Sequence, residues 1–219
     1  MRKCLSFIFL LLISFCVHAT QLDAATPRPV LVFGDSLSAG YGIAVSESWP
    51  ALLDARLKAE RSTYTVVNAS ISGETTAGGR ARFAAVLKQT QPAVVILALG
   101  ANDGLRGLPV SAMQDNLATM ITTAKQHRAS VLLVGMRLPS NYGSDYTQHF
   151  AAAFRTLAKR EKVSLLPFLL EPVALDALAF QADGLHPTAK AQPKLLDHIW
   201  KSLTPLLTSA PTNQTLMHQ

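Results

Sequence analysis

Short, almost entirely apolar runs alternate with longer amphipathic segments along most of this chain. The apolar runs lack the alternation of polar and apolar positions that a half-exposed strand shows, so we interpret them as buried strands. The five predicted strands cover residues 30–33, 64–67, 93–99, 131–135 and 164–166.

The segments between the strands carry apolar residues three or four positions apart, which is the spacing of an amphipathic helix. In one of them Phe83, Val86 and Leu87 would share a face. Ser46 or Ser48 is a candidate N-cap for the first helix. The predicted helices cover residues 49–57, 80–88, 110–127, 145–160 and 189–203.

This alternation predicts a three-layer α/β domain of the flavodoxin-like class. Its five-stranded parallel sheet would have the order 2-1-3-4-5, with helices on both faces. Strands 2 and 3 then flank strand 1. Segments that follow the carboxyl ends of the strands gather at one edge of the sheet, where open α/β sheets place their ligands.

The amino-terminal segment has the pattern of an export signal. Arg2 and Lys3 precede a mostly apolar stretch, residues 4–17, which is short for a membrane span of about 20 residues. We predict a signal peptide over residues 1–19, with cleavage as late as residue 25. One domain over 26–205 and a frayed polar tail over 206–219 would follow. The protein is therefore expected outside the cytoplasm, in the periplasm, with release into the medium as the alternative.

The cysteine positions and the net charge indicate how the mature chain is stabilised and which partners it is expected to bind. Both cysteines, Cys4 and Cys16, lie inside the predicted signal, so the mature chain is expected to fold without a disulfide. The formal charge of +6 is mild and the basic residues are scattered, which argues against a nucleic-acid partner. A transient contact with an anionic membrane surface stays open, and a monomer is expected.

Ser36, directly after the first strand, is the candidate nucleophile. A Gly-Asp-Ser motif alone more often marks a turn or a helix cap, and a serine hydroxyl also needs a base held by a carboxylate. Asp183 and His186 follow the fifth strand three positions apart, so they can face the same way within one turn. Pro187 restricts His186 to extended backbone. Two other Asp-His pairs, at 145/149 and 197/198, follow no strand end.

Candidate donors for an oxyanion follow the second and third strands. Gly73 can offer its backbone N–H at close range because it lacks a Cβ, and Asn102 offers a side-chain amide. The N–H of Ser36 is a third donor. Each such donor is worth about 3 kcal/mol in known hydrolases. Taken singly, Gly73 and Asn102 are more simply turn or cap residues, whereas together with Ser36 and His186 they indicate a serine hydrolase.

Two other acids lie beside the candidate site residues, and the sequence has no metal-binding motif. Asp35 and Asp103 are interpreted as structural residues that accept backbone N–H bonds in their loops. Neither a His-Glu-x-x-His nor a Cys-x-x-Cys spacing occurs in the sequence, so no metal or cofactor is expected.

The segments around these residues resemble the SGNH (GDSL) hydrolases. Within that family, the stretches 34–41, 66–73, 102–107 and 137–143 are similar to the bacterial periplasmic group of thioesterases, arylesterases and lysophospholipases. The resemblance implies Ser36, Gly73, Asn102 and His186 as the named catalytic residues, with Asp183 as the third member of the triad. One departure is Ala101, where the family usually has glycine.

The resemblance also implies an activity and a substrate class. The activity is hydrolysis of aryl and short-to-medium-chain esters, lysophospholipids and acyl thioesters, without a metal or cofactor. A flexible loop near residues 105–109 would shape the acyl groove. Leu105, Leu138, Pro139 and Tyr142 would line that groove, or would simply pack the domain.

Two alternatives remain beside this interpretation. A carbohydrate acetylesterase is disfavoured because the chain has two tryptophans and few aromatic residues for a sugar platform. A secreted lipid-binding protein of the same fold without turnover is disfavoured because all the catalytic residue types are present.

Overall fold

The computed structural model describes residues 27–60 and 62–209. The predicted signal peptide and the tail beyond residue 209 lie outside this range. None of the helices within it is long and apolar enough to cross a membrane.

The centre of the molecule is one parallel five-stranded sheet with the order β2-β1-β3-β4-β5, as the sequence predicts. Val32 of β1 pairs with Asn68 of β2 on one side and Ile96 of β3 on the other. Ser36 therefore leaves the sheet between the ends of its two neighbours. The strands are β1 (Arg28–Gly34), β2 (Tyr64–Asn68), β3 (Val94–Ala98), β4 (Ser130–Val134) and β5 (Ser164–Leu166).

The helices lie on both faces of the sheet, which gives the predicted three layers. They are α1 (Ser36–Ala39), α2 (Trp49–Ala59), α3 (Thr76–Thr90), α4 (Ala101–Leu105), α5 (Val110–Gln126), α6 (Ser144–Glu161) and α7 (Gln192–Ser209). The short helices α1 and α4 directly follow β1 and β3, and carry Ser36 and Asn102. Sequence periodicity did not predict them, because one turn is too short to show a period.

Two apolar cores form because successive side chains of a strand point to opposite faces. Val30 and Val32 of β1 pack with α2 and α7. Leu31 and Phe33 of the same strand pack with α3, α5 and α6. Each fully buried side chain of this size contributes about 1.5–3 kcal/mol, so the sheet that carries the site residues is rigidly held.

Helix α3 begins four residues before the predicted start at residue 80. Thr75 caps it, since its hydroxyl accepts a hydrogen bond from the backbone N–H of Gly78 at 3.4 Å. The next residue is bound by α4: the N–H of Thr76 donates to Asp103 at 2.8 Å. A contact with another helix thus holds the start of α3, and no periodicity could show it.

The last predicted helix also differs at both ends. Residues Ala189–Ala191 form a 3₁₀ turn, and α7 then passes through Pro205 to Ser209, past the predicted domain boundary at 205. Leu206 and Leu207 are partly buried against the core. The hydroxyl of Tyr64 donates to the carbonyl of Leu207 at 2.7 Å. These contacts hold the last turn in place.

The start of α2 is tied to α7 rather than capped locally. Ser48 occupies the N-cap position, but its hydroxyl donates back to the carbonyl of Val45 at 2.6 Å. The N–H of Trp49 donates instead to the side-chain carbonyl of Gln192 at 3.0 Å. The indole N–H of Trp49 donates to the carbonyl of Leu37 at 3.1 Å, so this buried residue also supports α1.

Candidate active site

Ser36 stands at a tight turn from β1 into α1. The carboxylate of Asp35 caps α1 by accepting a hydrogen bond from the N–H of Leu37 at 3.0 Å. A Cβ at Gly34 would come within 2.9 Å of the carbonyl oxygen of Ala98, so only glycine fits against β3 at this point. Each residue of the Gly-Asp-Ser motif therefore has a local physical role.

The structure brings His186 and Asp183 to Ser36 across 150 positions of sequence. Nε2 of His186 lies 2.8 Å from Oγ of Ser36, and Nδ1 lies 2.6 Å from Oδ2 of Asp183. A proton on Nδ1 suits both contacts, because Nδ1–H then donates to the carboxylate and Nε2 accepts the serine proton. The other Asp-His pairs take no part, since His149 is exposed on α6 and His198 contacts the carbonyl of Phe168.

The turn around Asp183 orients this carboxylate. Its Oδ1 accepts hydrogen bonds from the backbone N–H groups of His186 at 3.0 Å and Leu185 at 2.9 Å, which leaves Oδ2 for the imidazole. The same two N–H groups, followed by the bond to the imidazole, lower the pKa of Asp183 to about 2. The carboxylate is therefore charged in neutral solution and can stabilise an imidazolium.

Gly73 and Asn102 line the same cavity as Ser36. Gly73 has a φ of +79°, a backbone conformation that favours glycine, and its carbonyl accepts a hydrogen bond from Arg106 at 2.9 Å. The side-chain amide of Asn102 donates to the carbonyl of Glu74 at 3.0 Å. One amide hydrogen orients the side chain, and the second is free to face the cavity.

The guanidinium of Arg82, which the sequence did not mark as functional, holds the segment on either side of Gly73. Arg82 of α3 forms an ion pair with the carboxylate of Glu74 and donates to the carbonyl of Ala69 at 2.7 Å. It also stacks on the ring of Phe33, 4.0 Å from the centroid. In the sequence Arg82 is an ordinary polar position of an amphipathic helix, and no motif marks its role.

The two acids interpreted as structural both accept backbone N–H bonds. Asp35 accepts one within its own loop, from Leu37. Asp103 instead bonds a neighbouring loop: it accepts from the N–H of Thr76 at 2.8 Å and from its hydroxyl at 2.5 Å. Asp103 thereby ties the segment that carries Asn102 to the segment that carries Gly73.

The charged form of Asp35, next to the candidate nucleophile, is disfavoured by burial. Its side chain is almost fully buried, and Oδ2 has no hydrogen-bond partner. Burial raises the pKa of Asp35 to about 6, against the opposing effect of the N–H of Leu37 and the attraction of His186. The folded protein therefore carries a carboxylate that is costly to ionise.

The stability of the Asp35→Asn variant relative to the wild type should increase as the pH rises. The pKa is raised on folding, so the wild type loses stability as the pH rises from about 4 to above 6. A shift from 3.8 to about 6 corresponds to roughly 3 kcal/mol. The check is urea unfolding of both proteins between pH 4 and pH 8. A difference in unfolding free energy that stays constant over this range would refute the assignment.

The apolar cavity beside Ser36 has a volume of about 610 Å³. Leu105, Leu138 and Pro139 line it, as expected for an acyl groove, and Ala101 lies on its wall beside Asn102. Tyr142 is not among the lining residues. Its hydroxyl donates to the carbonyl of Leu105 at 3.1 Å, and that of Tyr146 donates to Leu108 at 3.1 Å, so both tyrosines brace the loop 105–109.

Much of the remaining wall comes from the segment between β5 and α7. In this segment the sequence predicted only Asp183 and His186 as site residues. The segment has little regular periodicity, so its apolar residues could not be placed from the sequence. The further lining residues from this segment are Phe168, Leu170, Ala174, Phe180, Gly184 and Leu185. Within the described residues, no group of three or more His, Cys, Asp or Glu side chains could hold a metal ion.

Comparison with known proteins identifies the family. Residues 32–192 match the GDSL-like Lipase/Acylhydrolase family. The chain belongs to this family. The match runs from the end of β1 through β5 and includes all five candidate site residues, and the fold is that of an SGNH hydrolase. This GDSL-like acylhydrolase is accordingly a serine ester hydrolase.

Individual relatives agree with the family assignment. Esterase TesA of Pseudomonas aeruginosa is 47% identical over 198 residues, which cover 90% of this chain and 98% of TesA. Thioesterase 1/protease 1/lysophospholipase L1 of Escherichia coli K12 is 44% identical, covering 93% of each chain. The crystal structure of the psychrotrophic esterase EstA from Pseudoalteromonas sp., inhibited by monoethylphosphonate, superposes with a TM-score of 0.80 at 38% identity, covering 83% of this chain and all of EstA.

Proposed function

We propose that this GDSL-like acylhydrolase is an exported esterase and thioesterase that uses a Ser-His-Asp acyl-enzyme mechanism. Its substrates would be aryl and short-to-medium-chain esters, lysophospholipids and acyl thioesters. The observation that carries the proposal is the hydrogen-bonded chain from Asp183 through His186 to Ser36, which ends at the wall of an apolar cavity.

The proposed reaction has two steps. His186 takes the proton of Ser36 as Oγ attacks the acyl carbonyl, and Asp183 stabilises the resulting imidazolium. His186 then protonates the leaving alkoxide or thiolate, and the acyl group stays on Ser36. A water molecule, activated by the same imidazole, releases the acid and restores the serine.

The oxyanion would be held by three donors from three neighbouring loops. They are the N–H of Ser36, the N–H of Gly73 and the amide of Asn102. The position of these loops after β1, β2 and β3 supports this arrangement. The bonds from Arg106 to Gly73 and from Asn102 to Glu74 would keep the donors in place before the substrate arrives, and donors placed in advance stabilise the transition state most.

Replacing Asn102 with alanine should lower kcat by about 10²–10³-fold with little change in KM, as loss of one oxyanion donor does elsewhere. An Asn102→Asp variant keeps the shape but puts an acceptor where a donor is needed, so it should lose at least as much. Steady-state hydrolysis of p-nitrophenyl butyrate measures both constants. A higher KM at unchanged kcat would instead mean that Asn102 binds the substrate and the transition state equally.

The cavity supports acyl substrates rather than sugars. Its walls are mostly aliphatic and phenyl side chains, and they include neither Trp49 nor Trp200. The test compares p-nitrophenyl esters, acyl thioesters, lysophospholipids and acetylated xylan on the purified protein. Turnover of acetylated xylan alone would favour a carbohydrate acetylesterase, and binding of acyl compounds without any turnover would favour a lipid-binding protein.

The protein is further proposed to be exported to the periplasm and to act there as a monomer. It would contact a membrane surface transiently. Leu175, Leu178 and Leu185 are exposed on the segment that forms the cavity wall, and such residues favour contact with lipid. Cell fractionation tests the location, light scattering tests the monomer, and cosedimentation with phosphatidylglycerol vesicles tests the contact. Full recovery of the protein in the supernatant would argue against the contact.

A further inference from the structure

Arg137 is an exposed guanidinium on the wall of the mostly apolar cavity. It follows β4 by three positions and lines the cavity together with Leu138 and Pro139. Its guanidinium carbon lies 5.1 Å from the ring centroid of Phe168, another wall residue. This cation–π contact holds the side chain at the wall and leaves its N–H donors to the cavity.

None of the described carboxylates forms an ion pair with Arg137. In the part of the chain that the structure describes, Arg56, Arg82 and Arg160 each pair with an acid, whereas Arg137 has no such ion pair. The described residues that line the cavity include no aspartate or glutamate. A cation without a counter-ion on an apolar wall is complementary to a ligand that combines an apolar chain with an anionic group.

The distance from the nucleophile limits where that anionic group can sit. One strand, β3, separates β4 from β1, so the backbone at Arg137 is about two strand spacings, roughly 10 Å, from that at Ser36. An anion bound there is several bonds away from the carbonyl that Ser36 attacks. It is therefore not the oxyanion, whose donors come from the loops after β1, β2 and β3.

We propose that Arg137 is a substrate-binding residue that recognises a phosphate or carboxylate group remote from the scissile carbonyl. This rests on the proposed function, since it selects among the acyl esters and thioesters already named. The planar fork of arginine suits both groups, which it binds through paired hydrogen bonds. The anion has two sources: a phosphate in the leaving group, or a carboxylate at the far end of the acyl chain.

The test compares matched substrates with and without the anion. Octanoylglycerol and octanoylglycerol phosphate differ only in a leaving-group phosphate. The p-nitrophenyl ester of octanoic acid and the mono-p-nitrophenyl ester of decanedioic acid differ chiefly in a distal carboxylate. Arg137→Gln should lower kcat/KM about tenfold or more for the anionic member of one pair. The neutral members should change less than about twofold, and Arg137→Lys should lie in between.

Arg155→Gln is the matched control. Arg155 is exposed on α6 and does not line the cavity, so its removal changes the net charge equally without touching the subsite. Equal losses for neutral and anionic substrates in Arg137→Gln would overturn the proposal, because Arg137 would then only support Phe168. An anionic preference that survives in Arg137→Gln would overturn it as well.

A binding measurement separates this proposal from the proposed function. Calorimetry on the Ser36→Ala background needs no turnover and compares octyl phosphate and decanoate with octanol. Arg137→Gln should weaken binding of one anion about tenfold and leave octanol unchanged. If the protein with Ser36 intact hydrolysed none of the substrates while this binding result held, only the enzyme mechanism would be refuted. Equal affinities of Ser36→Ala and of the Ser36→Ala, Arg137→Gln double variant for both anions would overturn the subsite.

Discussion

Replacing Ser36 with alanine is expected to lower kcat by about 10⁴-fold or more on every ester and thioester substrate. Without Oγ there is no acyl-enzyme, and His186 has no nucleophile to activate. Removal of the nucleophile from other serine hydrolases has effects of this size, and the residual rate comes from the oxyanion donors and substrate binding. Steady-state and burst kinetics with p-nitrophenyl butyrate measure the loss directly.

The fold should survive this change. Ser36 contributes one side-chain hydrogen bond, to His186, and such a bond is worth about 1 kcal/mol. Ser46→Ala is a matched control, because Ser46 is exposed on the 3₁₀ turn before α2 and should behave as wild type. Activity of Ser36→Ala within tenfold of wild type would remove the mechanism, since neighbouring Ser38 is buried and Asp35 caps α1.

Replacing Asp183 with asparagine should lower kcat by about 10³–10⁴-fold although the structure around it is kept. Asparagine can still accept the N–H bonds of Leu185 and His186 through its one oxygen. Its NH₂ group then faces Nδ1 of His186, which must become an acceptor. The ring proton moves to Nε2, the wrong tautomer for a base at Ser36, as asparagine causes in other triads.

The pH dependence separates this tautomer effect from a loss of structure. Kinetics of Asp183→Asn from pH 5 to 9, together with urea unfolding at pH 7, give both quantities. Asp145→Asn is the control, because Asp145 lies four positions before the exposed His149 on α6 and should have no effect on kcat. If Asp183→Asn kept more than a tenth of the activity, the carboxylate would not be needed to orient His186.

The sequence was most informative where one local pattern has one physical solution. Runs that are apolar on both faces, as in β1, β3 and β4, are typical of strands covered by helices, so the layers could be predicted from them. The order of the five strands then followed from the flavodoxin-like class of fold. The sequence also predicted Ser36, Asp183 and His186 as a candidate triad, because Ser36 and the pair of Asp183 and His186 both follow strand ends. The structure places the three side chains within hydrogen-bond distance of one another.

Contacts between segments distant in sequence could not be predicted from local patterns. Arg82 looks like a surface residue until α3 packs under the loop that carries Glu74. Tyr142 looks like a groove residue, yet its hydroxyl braces Leu105. Helix α7 continues past Pro205 because Tyr64 bonds its last turn.

The amino-acid sequence by itself determined the class of fold, and it identified the candidate residues of the site and the strand ends that carry them. Each of these depends on periodicity or on a short motif within one segment. The tertiary structure alone decided the walls of the cavity, the contacts of Arg82 with Glu74 and Ala69, and the position of Arg137 on the cavity wall without an ion pair to any described acid. Those features depend on which distant side chains pack together, and packing is a property of the whole folded chain.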